Sequence, residues 1–568
     1  MVLARVTLPR YFSLRFINRY VCAMNQAYLR HLTDSETFEL TFQYVDPNAR
    51  LNRQFNFSRQ VTEPVSTFTQ RVATNIEKIV KKKSKTGPPV GVRVSVSVNG
   101  APVADDTTLC KDIFSDSGNK VVLNVCEQEF KVVINSPWIS GVVLPSSILA
   151  GFPVYPMKFD SIYTDKAQSE FNWYKSNDRN KWSLVGGGFV YTTSNSDIGA
   201  YLKLSCVPKN GDLVGPIAET VSSVPVQAGP GFCPFETRHQ FTKEKCSGST
   251  FRVVSYNILA DLYCDSDFTR QVLHPYCPPY ALAIDYRKQL FIKEITGYNG
   301  DIICLQEVDR KVYNYDLRPL FEELGYESDF CIKRGAVAEG LACFYNKQRF
   351  KCLQTRRFVL SDELKNFSDI WAKISENDKL SERILDRSTV LQVNFLESVE
   401  NNEVLVVGNT HLYFHPDADH IRLLQGAVII KYLEHLIDEF RKKMENKRLS
   451  LILCGDFNST PECGIYQLYT TGHVSEDHID FQSNLEEAVK VPLHQNLRLS
   501  SACGTPKYTN FTAGFADCLD YIYYESGSFD VVQVVPLPSE DELRQHTALP
   551  SVVFPSDHIS LISDLKWK

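Results

Sequence analysis

Residues 301–309, DIICLQEVD, and residues 451–459, LILCGDFNS, each run from four apolar residues directly into acidic and amide side chains. Short continuous apolar runs bounded by polar residues are typical of buried strands. In α/β folds, functional side chains commonly lie where such strands end at the edge of the sheet. The two stretches therefore predict an α/β domain whose strands lead into a functional site.

Four other segments of the last 320 or so residues repeat this pattern, and six together are not explained as strand caps. They are VVSYN ending in Asn257, VLVVGNTH ending in His411, LDYI containing Asp520, and SDH containing Asp557 and His558. Between the segments, residues 418–443 have apolar side chains at helical spacing and a basic last turn, which predicts a helix. Mixed strands and helices predict one large α/β sandwich over residues 251–568.

The residue types in these segments indicate a metal site. Glu307, Asp456 and Asp557 are hard oxygen ligands, and the amides of Asn257 and Asn458 can supplement them. No cysteine joins the set, which disfavours zinc, whereas oxygen ligands suit Mg²⁺ or Mn²⁺. Such a metal polarises a phosphoryl oxygen and lowers the pKa of water.

The two histidines of the segments, His411 and His558, remain as hydrogen-bond donors to a phosphate whose charge grows in the transition state. A neighbouring acid would fix the tautomer of each imidazole and hold it charged. The set indicates metal-assisted hydrolysis of a phosphate ester. By themselves the residue types do not distinguish a monoester from a diester.

The motifs SYNILAD, LQEVD, GNTHL, GDFNS, LDYI and SDH occur in that order. Their order and spacing resemble the endonuclease/exonuclease/phosphatase superfamily, and SYNILADLY with LQEVD resembles its deadenylase branch. The resemblance implies a four-layer α/β sandwich and a Mg²⁺-dependent hydrolase, in which Mn²⁺ can substitute. It also implies that 2′,5′-oligoadenylate and RNA with 3′ oligo(A) or poly(A) tails are the substrates and AMP the product.

The resemblance also implies roles for the metal-site residues. Glu307 matches the principal Mg²⁺ ligand, and Asn257 and Asp557 match residues that complete the metal site. Asp456 matches the residue that activates the attacking water beside the metal. Asn458 matches the amide that holds the scissile phosphate near the metal and reaches the nucleotide.

For the substrate, His411 matches a phosphate-contacting histidine, and His558 matches the transition-state histidine with Asp520 as its orienting carboxylate. Pro416 and Phe515 fall at the positions of a proline and a phenylalanine that clamp adenine in deadenylases. Stacking on flat side chains is a common way to hold single-stranded bases.

Several alternatives stay open at this stage. Pro416 and Phe515 could be ordinary loop residues, and His415 and His420 are expected to be surface histidines. The enzyme could be another nuclease of the superfamily that acts on DNA, or a phosphatase. A non-catalytic RNA-binding scaffold would require the loss of a metal ligand or of the general base, and the motifs show no such loss.

Composition limits the class of protein. The chain has 568 residues and a formal net charge of −6, so nucleic acid would have to bind a local basic groove or a metal. The 16 cysteines contain no CxxC pair and many lie in apolar runs, which indicates reduced core thiols. No run of about 18 uncharged apolar residues occurs, so no membrane insertion is predicted.

The N-terminal part is predicted to be mainly β. Residues 1–33 contain five arginines and no acid, which predicts a mitochondrial transit peptide, with an uncertain cleavage point, and a matrix location. Residues 37–135 predict a hairpin, a helix over 65–83 and further strands, an order resembling a β-grasp domain. Residues 136–226, with Trp173 and a D-x-G-x-Y motif, resemble an immunoglobulin-like sandwich. Gly and Pro predict a linker over 227–250.

Overall fold

The computed structural model describes residues 26–32, 34–83, 91–103, 106–115, 118–335, 337–444 and 447–568. These residues form two compact units. The first contains the described residues up to Ser146 together with Val154–Tyr191 and Gly199–Val226. The second contains Ser147–Pro153, Thr192–Ile198 and Gln227–Lys568.

A seven-stranded sheet with the order β3-β2-β1-β7-β6-β4-β5 begins the first unit. Its elements are β1 (Gln26–Arg30), β2 (Thr37–Asp46), β3 (Leu51–Gln60), α1 (Val65–Lys83), β4 (Val94–Val98), β5 (Ala101–Pro102), α2 (Cys110–Phe114), β6 (Val121–Val125) and β7 (Gln128–Ile134). The predicted β2–β3 hairpin and the predicted helix α1 are confirmed.

Strand β1 corrects two predictions. It lies between β2, to which it is antiparallel, and β7, to which it is parallel, and Ala27 and Leu29 are fully buried. The predicted leader over residues 1–33 therefore extends too far, because residues 26–30 form an interior strand. Residues 1–25 lie outside the described part of the chain. The predicted β-grasp order also lacked this strand, which separates the hairpin from β7.

The rest of the first unit is built from short and long antiparallel strands. They are β8 (Trp138–Val143), β9 (Pro153–Val154), β10 (Lys158–Ile162), β11 (Asp165–Ser176), β12 (Ser183–Gly187), β13 (Tyr191–Thr192), β14 (Tyr201–Asn210), β15 (Leu213–Val214) and β16 (Ala218–Val221). Strand β11 pairs with β12 and β14, and β8 pairs with β10. Trp173 is fully buried, and its indole N–H donates to the carbonyl of Gly188 at 2.9 Å. Residues 147–153 and 192–198 group with the second unit.

Residues 227–250 are not a free linker, which corrects the prediction. Cys233 and Phe235 are fully buried, the latter in the short helix α3 (Phe235–Arg238). The guanidinium of Arg238 donates to the hydroxyls of Tyr298 at 2.9 Å and Ser560 at 2.8 Å. Glycine and proline predicted a linker, but these apolar and charged side chains pack the segment within the second unit.

Two six-stranded sheets form the centre of the second unit, with the orders β19-β20-β18-β17-β32-β31 and β21-β22-β23-β24-β30-β27. The strands are β17 (Thr250–Asn257), β18 (Ile302–Asp309), β19 (Tyr326–Ile332), β20 (Glu339–Asn346), β21 (Phe350–Val359), β22 (Val390–Ser398), β23 (Glu403–His411), β24 (Arg448–Asp456), β25 (His473–Val474), β26 (Leu493–His494), β27 (Leu499–Ser501), β28 (Asn510–Phe511), β29 (Ala516–Asp517), β30 (Asp520–Glu525), β31 (Phe529–Val534) and β32 (Leu561–Trp567).

Helices flank both sheets. They are α4 (Asp261–Cys264), α5 (Pro279–Leu282), α6 (Ile284–Gly297), α7 (Arg310–Val312), α8 (Arg318–Glu323), α9 (Leu360–Glu363), α10 (Ser368–Ile374), α11 (Asp378–Leu385), α12 (Asp419–Lys443), α13 (Gly464–Thr471) and α14 (Glu540–Arg544). None of the described helices is long and apolar enough to cross a membrane.

The layers of the second unit are held by two apolar interfaces. Phe251 and Cys304 of one sheet pack with Val407 and Ile522 of the other. On the outer face of the second sheet, α12 packs against the strands. On the outer face of the first sheet lies α6, where Glu294 accepts from the Tyr256 hydroxyl at 3.0 Å. This arrangement confirms the predicted four-layer α/β sandwich and the predicted helix over 418–443.

Candidate active site

Strand register brings three candidate residues side by side. His411 ends β23, Asp456 ends the parallel strand β24, and Asp520 begins the antiparallel strand β30; in the register, His411 pairs with Asp456 and Asp456 with Asp520. Asn257 ends β17 in the facing sheet. The edge where these strands end therefore carries side chains from both sheets.

Asn257 joins the two sheets at this edge. Its amide nitrogen donates to Oε1 of Glu307 at 2.9 Å and to Oδ2 of Asp456 at 3.0 Å. Its amide oxygen accepts from the backbone N–H of Leu259 at 3.0 Å, which fixes the orientation of the amide. The second carboxylate oxygen of Glu307 accepts from the backbone N–H of Ala260 at 2.9 Å. One buried amide thus places the two principal carboxylates.

Two site residues have left-handed backbone conformations, which cost about 1–3 kcal/mol each for residues other than glycine. Glu307 has φ of 55° in an irregularity of the β18–β20 ladder, and a bulge of this kind redirects the side chain. Asn458 has φ of 48°; its backbone N–H donates to Asp456 at 2.9 Å and its side chain to the carbonyl of Leu412 at 3.0 Å.

The two principal carboxylates are buried among other acids. Burial, together with the charges of Glu339 and Asp557, raises the pKa of Glu307 to about 7. The pKa of Asp456 is raised to about 6, because burial and the charge of Asp520 outweigh the opposing charge of His558. Negative charge therefore accumulates around Glu307, whereas at Asp456 the charge of His558 opposes it.

His558 is held as an imidazolium. Its Nδ1 donates to Oδ2 of Asp520 at 2.8 Å, and its Nε2 lies 3.5 Å from Oδ2 of Asp456. Burial lowers its pKa, but Asp520, Asp456 and Asp557 outweigh burial and raise the pKa well above the usual value. The same Asp520 oxygen accepts from the hydroxyl of Thr509 at 2.6 Å, which fixes the carboxylate.

His411, unlike His558, is a neutral imidazole. Its Nε2 lies 3.6 Å from Asp456 and 3.9 Å from Glu307, while its Nδ1 lies 3.2 Å from the ammonium nitrogen of Lys333. Burial lowers its pKa well below the usual value, and the positive charges of Lys333 and His558 add to the effect. The ring is therefore neutral; because Lys333 donates to Nδ1, the ring proton is on Nε2 and faces the carboxylates.

Residues 254–558 match the model of the Endonuclease/Exonuclease/phosphatase family. The chain belongs to this family. The membership that the motifs predicted is thus confirmed, and the match covers all the strands that carry the site.

A second match extends the family relationship to the N-terminal part. Residues 136–227 match a domain described as 2′,5′-phosphodiesterase 12-like, N-terminal domain. Over 96% of its length the chain is 40% identical to 2′,5′-phosphodiesterase 12 of Mus musculus, covering 95% of that protein. It is 30% identical, over 56% of its length, to 48% of the CCR4-Not complex 3′-5′-exoribonuclease subunit Ccr4 of Yarrowia lipolytica.

Among solved structures, a crystal structure of ANGEL2, a 2′,3′-cyclic phosphatase, in complex with adenosine-2′,3′-vanadate matches with a TM-score of 0.46 and 23% identity. The match covers 57% of this chain and 97% of that one.

The donor atoms of this family member fit a divalent cation. One oxygen or nitrogen atom from each of Glu307, His411 and Asp456 lies within 4.8 Å of the others, and so do atoms of Asp456, Asp520 and His558. In the second group the imidazolium already neutralises a carboxylate. In the first, Nε2 of His411 carries the ring proton and is no ligand, so the carboxylate oxygens of Glu307 and Asp456 would hold a cation, which would offset their buried negative charge.

The structure brings most predicted residues into one cluster and leaves two at its rim. Asp557 is close enough to raise the pKa of Glu307, and its carboxylate accepts from the Asn510 amide at 3.3 Å. Pro416 and Phe515 are exposed; Pro416 lies on the loop that leaves β23, and Phe515 lies in the turn between β28 and β29. Their role as a base clamp stays a prediction.

Sequence reasoning missed three residues near the cluster. Glu339 is fully buried, pairs with Lys333 at 2.5 Å, and accepts from the Tyr263 hydroxyl at 3.2 Å. The only signal was an acid at the head of the apolar stretch EGLACFY.

The surface assignment of His420 was wrong: it is fully buried, with Nε2 at 2.8 Å from Glu487 and Nδ1 at 2.7 Å from Ser483.

Proposed function

We propose that the chain is a Mg²⁺-dependent phosphodiesterase and 3′ exoribonuclease that hydrolyses 2′,5′-oligoadenylate and the 3′ oligo(A) or poly(A) tails of RNA and releases AMP, with Mn²⁺ able to replace Mg²⁺. The single observation that carries the proposal is a buried cluster in which Glu307 has no cationic side chain beside it and Asp456 lies beside one neutral and one charged histidine. The names of the relatives support the choice of linkages.

Glu307 and Asp456 would hold the cation, supplemented by Asn257, Asn458 and Asp557. When bound, it supplies a positive charge that polarises the phosphoryl group and makes water easier to deprotonate. The carboxylates are already oriented by Asn257 and by backbone N–H groups, so little reorganisation is needed during the reaction.

The remaining steps belong to side chains of the chain itself. Asp456, whose pKa is raised to about 6, accepts a proton from the attacking water, because a base with a pKa near the working pH transfers protons efficiently. His411 donates its Nε2–H to a phosphoryl oxygen. His558, kept charged by Asp520, donates to the phosphoryl oxygen on which charge develops.

The proposed base clamp consists of Pro416 and Phe515. Phe515 is 46% exposed, so its ring is accessible to a base. A purine stacked between the two rings would be the terminal base of the substrate and would lie beside Asn458. This arrangement favours adenylate tails over pyrimidine tails.

We place the protein in the mitochondrial matrix on the basis of the five arginines and the absence of acid in residues 1–33. Because β1 begins at Gln26, the leader should end before that residue. N-terminal sequencing of the mature protein tests this location; an intact Met1 in a cytosolic pool would exclude it.

A nuclease assay with Mg²⁺ and with EDTA tests the proposed function on all-adenylate, mixed-sequence and deoxy substrates. We expect AMP from all-adenylate RNA in Mg²⁺ only, and little product from DNA. Fastest cleavage of DNA would favour another nuclease of the family, and release of free phosphate alone would favour a phosphatase.

A further inference from the structure

A cavity of about 360 Å³ opens between the edge strands of the two central sheets. Phe330 and Ile332 of β19 line one side, Phe358 of β21 lines the other, and Arg310 and Arg357 complete the wall. Its volume is at the lower end of the range for small-ligand sites, which gives room for one nucleotide unit but not for a duplex.

The cavity is positively charged and partly aromatic. Its lining contains two arginines and no carboxylate. Arg357 is paired with Asp329, whereas Arg310 is exposed and forms no ion pair within the described part of the chain. Phe330 is held in place by stacking on Tyr313, with ring centroids 4.6 Å apart and an interplanar angle of 18°. A free guanidinium beside a fixed ring is the combination that binds single-stranded nucleic acid.

Three connections place the cavity next to the catalytic cluster. Ile332 immediately precedes Lys333, whose ammonium lies 3.2 Å from His411. Val390 also lines the cavity, and its carbonyl accepts from the hydroxyl of Thr410 at 3.0 Å, one residue before His411. Arg310 follows Glu307 by three residues.

The strand order places the cavity and the proposed base clamp on opposite sides of the cluster. In the second sheet, β23 carries His411; β21, at the cavity, lies two strands to one side, and β30, which follows Phe515, lies two strands to the other. An RNA or oligoadenylate chain whose terminal base contacts Phe515 therefore passes the catalytic cluster at its scissile phosphate and continues toward the cavity.

We propose that this cavity binds the penultimate nucleotide of the oligoadenylate or RNA substrate, with its base against Phe330 and its phosphate on Arg310. The proposal rests on the proposed function, since it names the substrate unit on the far side of the scissile bond. Such a subsite explains how a short strand is aligned when only one terminal base is clamped.

The test compares two ligands in the full-length Asp456→Asn protein with Mg²⁺, measured before the slowed hydrolysis consumes the diadenylate. AMP occupies only the terminal subsite, whereas diadenylate also requires the penultimate subsite. We expect Phe330→Ala to raise the Kd of diadenylate roughly five- to 100-fold, while the Kd of AMP stays unchanged. Phe515→Ala should weaken both ligands.

Arg310→Met gives an independent measurement. The slope of log affinity against log salt for a longer oligoadenylate should become shallower by about 0.7, the value for one lost phosphate contact on a single strand. Arg441→Met is the matched control, because Arg441 is an exposed arginine in the last turn of α12, away from the sheet edge that carries the site.

Equal weakening of AMP and diadenylate by Phe330→Ala, or no weakening of either, would overturn the penultimate subsite, as would an unchanged salt slope in Arg310→Met. An unfolding temperature equal to that of the wild type confirms that each variant is folded. Phe330→Tyr should restore binding if stacking is the cause. Failure of the wild-type enzyme to hydrolyse diadenylate in Mg²⁺ would instead reject the proposed function.

Discussion

Glu63 and Glu307 are equally buried, each 8% exposed, in two different regions of the chain. Glu63, in the N-terminal sheet region, is bound by Arg59 through two bonds of 2.8 Å and by Arg71 at 3.2 Å. Glu307 receives only an amide and a backbone N–H, and its charged neighbours are the acids Glu339 and Asp557. Among the described residues, no lysine or arginine pairs with it.

The difference shows that burial alone does not mark a functional acid. In the N-terminal region the chain supplies its own positive charge, so the carboxylate is structural. At the edge of the catalytic sheets the charge is left for a cation from outside the chain. Uncompensated burial is costly to the fold and useful to the reaction.

Asp456→Asn should have the largest effect on turnover. An amide cannot accept the proton of the attacking water, and loss of a general base typically costs 10²–10⁴-fold. We expect kcat for AMP release to fall by roughly that factor, measured under saturating Mg²⁺ with a triadenylate. An unchanged kcat would show that another group is the base.

Glu307→Gln and Glu63→Gln should have opposite effects on stability. In the folded protein the pKa of Glu307, about 7, lies above its usual value of 4.5, so the ionised carboxylate destabilises the metal-free fold. This destabilisation appears as pH rises from 4.5 to 7. We expect Glu307→Gln to raise the unfolding free energy of the metal-free catalytic unit at pH 7 by on the order of 3 kcal/mol.

Glu63→Gln is the matched control, because it breaks a compensated buried pair. It should lower the unfolding free energy by roughly 3–5 kcal/mol at most, measured by denaturant titration of the same full-length protein. Added Mg²⁺ should stabilise the wild type and Glu63→Gln, but Glu307→Gln much less. If both variants destabilise the metal-free protein, the contrast between the two glutamates does not hold.

Phe515→Ala should change base preference and leave the metal chemistry intact. A stacked aromatic contributes roughly 1–3 kcal/mol per base, so KM for adenylate tails should rise about five- to 100-fold and the preference for A over U should flatten. Steady-state kinetics on oligo(A) and oligo(U) measure both quantities. Retention of the full A-over-U ratio would place the specificity elsewhere.

Removal of residues 1–25 should have the smallest effect, with no change in kcat or in thermal unfolding, because no site residue lies there and β1 is kept. Removal up to residue 34 deletes the buried strand β1 and should lower the stability of the N-terminal sheet. Equal melting curves for the two truncated proteins would show that β1 is dispensable.

The site was more predictable from sequence than the boundaries around it. Glu307 and Asp456 end short apolar runs, and a buried strand that ends in a carboxylate has few structural explanations. The metal cluster is therefore visible in the local pattern, and its assembly follows from the register of adjacent strands.

What sequence could not show depends on tertiary contacts. Lys333 lies in an irregular loop and Glu339 lies just after it; Glu339 pairs with Lys333, and Lys333 contacts His411 only after the two sheets have packed. The basic, acid-free composition around residues 26–30 masked the alternation of β1. Glycine and proline in residues 227–250 masked the docking of Phe235 and Arg238. Composition indicates only the average tendency of a segment to be structured, whereas these two segments are held by contacts with a few specific residues.

The most direct test of the account measures AMP release from 2′–5′-linked and 3′–5′-linked triadenylate by the full-length protein, with Mg²⁺, with EDTA, and with EDTA followed by excess Mg²⁺. The account predicts AMP from both substrates in Mg²⁺, none in EDTA, full recovery on adding Mg²⁺ back, and loss of activity in Glu307→Gln. AMP release that persists in EDTA, or an active Glu307→Gln enzyme at low Mg²⁺, would contradict the assignment of the buried carboxylates to a metal.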